Sequence, residues 1–140
     1  MLNISKKTDI LIAISLSVPL IGFVIIFGDP LFIGIWYYIV LPFFIVGFCE
    51  RFRPAPLFAS GTALSIAISL YLIMQLNLSA SRIDGMVGLI HFFSMPAGFV
   101  GAGVAAFFME KKKIENPAQG LLMGVAGYGA GFFVARFILF

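Results

Sequence analysis

The sequence predicts an all-α fold: a polytopic transmembrane bundle of five helices, with the N-terminus in the cytoplasm and the C-terminus outside. Three observations predict it. Of the 140 residues 61% are hydrophobic and 11% charged, with a mean hydropathy of +1.11. Soluble globular domains run at roughly 45–50% apolar and about 25% charged. A domain this small leaves much of its surface exposed, so an excess of Phe, Ile, Leu and Val must face something other than water, and lipid is the available solvent. Second, the apolar residues fall into runs of the length a bilayer core about 30 Å thick demands, about 20 helical residues each. Third, the basic residues lie almost entirely between alternate runs.

The first span covers residues 9–28, preceded by Lys6, Lys7 and Thr8. Asp29-Pro30 then reads as an N-cap followed by proline at the first helical position, where the missing N–H removes no bond. The second span covers 31–49. Glu50-Arg51-Phe52-Arg53-Pro54-Ala55-Pro56 is too charged for hydrocarbon, and its prolines break the helix ahead of a third span over 57–76. A polar turn from Asn77 to Gly85 carries Arg82 and Asp84. The fourth span covers 86–109 and ends at Glu110 and the run Lys111 to Lys113. Asn116-Pro117 repeats the cap-plus-proline signal before the fifth span, 118–140.

Counting basic residues on alternate sides sets the orientation. Lys6, Lys7, Arg51, Arg53, Lys111, Lys112 and Lys113 fall on one side, Arg82 and Arg136 on the other. The basic side is the cytoplasmic one. Arg136 lies one turn from the end of the last span and can reach the interface by snorkelling. One membrane domain, residues 1–140, accounts for the chain, and the loops are too short to fold as separate catalytic or DNA-binding units.

The net charge of +3 does not read as nucleic-acid binding, because the basic residues flank apolar runs instead of forming a patch with interleaved aromatics. Cys49 is the only cysteine, so neither an intrachain disulfide nor a thiolate metal cluster can form within one chain. Acylation of Cys49 is the alternative to inert packing. No small-residue cleavage site follows the first apolar run, which is read as a retained span.

Small residues recur every four positions in the last three spans: Gly61, Ser65 and Ser69; Gly98, Ala102 and Ala106; Gly120 with Gly124 and Gly127 with Gly131. That spacing returns to nearly the same helix face and lets backbones approach closely in lipid. Gly120, Gly124, Gly127, Gly131, Gly98 and Ala102 are therefore the candidate packing or partner-binding face, and the fifth span is expected to carry a single slowly drifting groove.

His91, the only histidine, lies about six residues inside the fourth span, roughly 9 Å deep at 1.5 Å per residue. It is the candidate intramembrane polar site, weighed against a side chain that merely bonds a neighbour's backbone. Pro19, Pro42 and Pro96 fall mid-span, where each frees a carbonyl. Every Asp and Glu falls at a span end or in a loop, which argues against proton- or cation-coupled transport through a buried carboxylate. No metal-ligand cluster, phosphate loop or nucleophile–base pair is present, so neither metal nor cofactor is expected and the chain does not read as an enzyme. Arg51-Phe52-Arg53 and the Lys111–Lys113 run set topology and offer contacts to anionic headgroups. The sequons at Asn3 and Asn77 are at chance level.

In size and composition the chain is similar to the small polytopic inner-membrane proteins that protect bacteria from pore-forming toxins, and to small accessory subunits of membrane complexes. The likeness covers no motif. The expectation is an integral protein of the bacterial inner membrane whose partners are the lipid bilayer and either another membrane protein or a second copy of itself, without nucleic acid. It would work by helix–helix binding, concretely as an immunity-type protein. A small oligomeric channel or transporter for an anion or neutral solute is the alternative.

Overall fold

The computed structural model describes residues 5–27, 35–79 and 86–139, with side chains for all of these except 35–39, 49, 50, 77, 86–88 and 139. The Asp29-Pro30 signal, Arg82, Asp84 and the Asn3 sequon lie outside the described residues, and so do the side chains of Cys49 and Asn77. The described residues form an all-helical bundle: α1 (Lys6–Phe27), α2 (Ile35–Arg51), α3 (Phe58–Ser79), α4 (Met86–Lys112) and α5 (Pro117–Leu139). All except α2, with 17 described residues, are long and apolar enough to cross a membrane.

Several helix ends lie beyond the apolar runs. α1 begins at Lys6 because Ser5 caps it, its Oγ accepting the Thr8 N–H at 3.2 Å. α3 continues to Ser79 and α4 to Lys112, past the expected ends at 76 and 109. Hydrophobicity marks where hydrocarbon stops, whereas a helix stops where its backbone bonds are satisfied; Lys111 and Lys112 favour the negative end of the α4 dipole. That helix closes in a Schellman turn. Lys113 takes the left-handed conformation (φ 52°), its N–H donates to Glu110 at 3.1 Å, and Ile114 N–H reaches back to Met109 at 3.0 Å. α5 starts as the Asn116-Pro117 signal requires, with Asn116 Oδ1 accepting the Ala118 N–H at 2.9 Å.

α3 is the hub. It packs against α1, α2, α4 and α5, and 67% of its apolar window is buried against 22% for α1 and for α5. α1, α3 and α5 run parallel: Asp9 meets Ser60 near the start of both α1 and α3, and Phe23 meets Tyr71 farther along. Gly61 faces Leu121, and Ser65 donates to the Val125 carbonyl at 3.2 Å. α4 returns antiparallel, with Ala97 opposite Gly131 and Gly101 opposite Gly127. α2 ends beside the start of α1, since Arg53 reaches Asp9. Lys6, Arg51, Arg53 and Lys112 therefore gather at one end of the bundle. Phe58, Ile66, Leu70, Met74, Tyr128 and Phe132 form the core, while large apolar side chains remain exposed on every helix. A bundle apolar inside and out belongs in lipid.

Candidate functional site

The small-residue faces are taken up by the protein's own helices. Built onto Gly120 or Gly124, a Cβ would strike the carbonyl oxygen of Pro56 or Phe58. On Gly131 it would strike the Ala97 carbonyl, and on Gly127 it would lie 2.6 Å from the Ala105 Cβ. The groove expected along one side of the fifth span is thus two contacts, the first pair against the start of α3 and the second against α4. The pairs share one face of α5, and that face looks into the crevice between both neighbours. Ala102 is fully buried at the α4–α5 crossing. Gly98 seats the ring of Tyr128, whose Cε2 would lie 2.6 Å from any added Cβ.

His91 is fully buried, deeper in its surroundings than its sequence position suggests. Its Nε2 lies 3.1 Å from Ser69 Oγ, and Ser69 also donates to the Ile66 carbonyl at 2.8 Å. The imidazole packs on Phe132, ring centroids 5.3 Å apart. Tyr128 approaches Ser69 from α5 short of hydrogen-bond geometry, and neither its hydroxyl nor that of buried Ser94 has a partner among the described residues. Three polar side chains from three helices, Ser69, His91 and Tyr128, therefore meet in an apolar core. Sequence reasoning singled out His91 as a polar site and Ser69 only as a member of the small-residue series on α3, while Tyr128 had no signal, because a lone tyrosine in an apolar run belongs to no periodic pattern.

A second polar junction was not foreseen. Asp9, in the first turn of α1, is fully buried. Its Oδ1 accepts the Ser60 hydroxyl at 2.6 Å and the Ser60 N–H at 3.1 Å; its Oδ2 takes the Arg53 Nε–H at 3.2 Å. The reason lies in α3. Leu57, the residue before that helix, is left-handed (φ 63°) and apolar, so it cannot cap the free N–H groups behind it. Asp9 supplies the cap from another helix, at the positive end of the α3 dipole. The carboxylate sits at a span end, as read from the sequence, yet it is a buried one.

A cleft opens between α2 and α4. Among the described residues the two helices do not approach through their backbones, and Phe48 and Phe99 bridge them with ring centroids 5.1 Å apart. The cleft, about 440 Å³, is lined by Phe43, Phe44, Gly47, Phe48 and Arg51 of α2 and Phe99 of α4. Gly47 faces open space, and Phe43 is 73% exposed. Among the described residues no three His, Cys, Asp or Glu side chains come together as a metal site.

Comparison with protein-family models, with curated proteins and with solved structures gives no match. The functional reading therefore rests on the geometry alone.

Proposed function

We propose that this chain is an integral protein of the bacterial inner membrane, crossing it five times with the N-terminus cytoplasmic and the C-terminus outside, and that it acts without catalysis by binding helices of another membrane protein. Its most concrete form is an immunity-type protein that engages the inserted helices of a pore-forming toxin; an accessory subunit would use the same surface. The α2–α4 cleft carries this reading. In lipid, helices associate by close packing rather than by hydrophobic drive, so an open glycine flanked by aromatic walls is where a foreign helix gains most contact. The inward glycines are already filled, and of the open ones, Gly22, Gly47 and Gly103, it is Gly47 that lies between aromatic walls.

Protection is the test. Cells producing the protein are challenged with a pore-forming toxin encoded beside its gene, and membrane leakage is followed. Gly47→Leu is expected to abolish protection at unchanged abundance, while Phe137→Ala, on an exposed stretch of α5, protects fully. Protection retained by Gly47→Leu would remove the cleft from the account. The second reading, a small oligomeric channel or transporter for an anion or neutral solute, draws on the Ser69–His91–Tyr128 junction, where the Tyr128 hydroxyl is left to bind a solute. It requires solute flux into proteoliposomes that His91→Gln or Tyr128→Phe impairs.

A further inference from the structure

At the bundle end away from Lys6, Arg53 and Lys112, a groove of about 500 Å³ opens between α3 and α5, lined by Leu72, Gln75, Leu76, Ser79, Phe133 and Arg136. Its polarity is graded along the helix axes. Ser79 and Arg136 lie in the last turns of their helices, Gln75 one turn below Ser79, and Leu72 and Phe133 deeper still. Arg136 is half-buried and Gln75 exposed on the outer surface of the bundle. Among the described residues neither has a hydrogen-bond or ion-pair partner. A guanidinium and an amide facing the apolar solvent near its boundary are unfavourable until acceptors satisfy them. Ser79 already directs its hydroxyl proton to the Leu76 carbonyl at 3.1 Å, so it offers an acceptor only.

We propose that this groove binds one anionic phospholipid with a hydroxylated headgroup. The phosphate takes the forked N–H donors of Arg136 and the amide of Gln75, a headgroup hydroxyl donates to Ser79 Oγ, and an acyl chain lies along Leu76, Leu72 and Phe133. The order of groups on the protein matches that of the lipid, headgroup outermost and chain inward. A planar guanidinium suits phosphate better than an ammonium would, because two parallel N–H bonds fit two oxygens. The site lies on α3 and α5, apart from the α2–α4 cleft, and does not depend on the function proposed there.

Native mass spectrometry of the detergent-purified protein, incubated with equal amounts of phosphatidylglycerol and phosphatidylcholine, tests it. One phosphatidylglycerol is expected to be retained at least fivefold over phosphatidylcholine. Arg136→Gln should abolish that preference, and Gln75→Leu should reduce it severalfold. Lys112→Gln serves as the control for headgroup contacts at the other end and should leave the preference intact. Equal retention of both lipids, or a preference that survives Arg136→Gln, overturns the proposal. So would an equal gain in thermal stability from inorganic phosphate, which would mark an anion site without a lipid.

Discussion

Asp9 shows how a single side chain joins three segments of the bundle. It anchors α1, caps α3 and neutralises Arg53 in the α2–α3 connection. Replacing it with alanine removes the acceptor of the Ser60 N–H and of the Arg53 Nε–H. Arg53 is 21% exposed, so water recovers part of that loss, and the expected destabilisation is about 2–3 kcal/mol, below that of a fully buried pair. Asp9→Asn keeps an oxygen for Ser60 and loses the charge, and about 1 kcal/mol is expected. Thermal unfolding in detergent measures both; equal effects from the two variants would mean that the cap contributes nothing and the charge everything. The residue's place at a span end was legible from its position before an apolar run. Its burial was not, because the partners lie 44 and 51 residues away and the demand for a cap arises from the left-handed turn at Leu57.

At the scale of elements, α4 and α5 pack through glycines, and two glycines of α4 separate packing from propensity. A Cβ on Gly101 would strike the carbonyl oxygen of Gly127 and come within 3.1 Å of Gly131 backbone atoms, whereas on Gly103 it would meet nothing within 4 Å. Gly101→Ala should therefore destabilise by about 1–3 kcal/mol, since backbone cannot move aside as a side chain can. Gly103→Ala should be neutral or stabilise by up to about 1 kcal/mol through helix propensity. Resistance to unfolding in mixed detergent reads both, and the same sign for the pair would contradict the packing described. Four-residue spacing identified the small-residue faces in α3, α4 and α5, because one helix turn is a local property. It could not divide the α5 face between two neighbours, since that depends on where α5 sits in the crevice. Gly101 escaped the pattern for a related reason: it occupies the same crossing as Ala102 but lies outside the Gly98-Ala102-Ala106 series.

For the whole molecule, five apolar runs became five helices because each must satisfy its backbone internally, and the polar punctuation at Glu50 to Pro56 and at Glu110 to Asn116 marks connections that the structure places at one end. The hub position of α3 had no sequence signature. It follows from the polar and small side chains of that helix, Ser60, Gly61, Ser65 and Ser69, each of which meets a different helix or contact level. The central claim is that all five helices cross the bilayer in alternation, and α2 bears most of its weight. Single cysteines at Asp29, Pro54, Ser81 and Glu115, introduced in a Cys49→Ser background, measure it directly through labelling with a membrane-impermeant maleimide. The positions at 29 and 81 should react in intact cells, and those at 54 and 115 only after permeabilisation. Labelling of 29 and 54 from the same side would show that α2 does not cross and would contradict the five-span account.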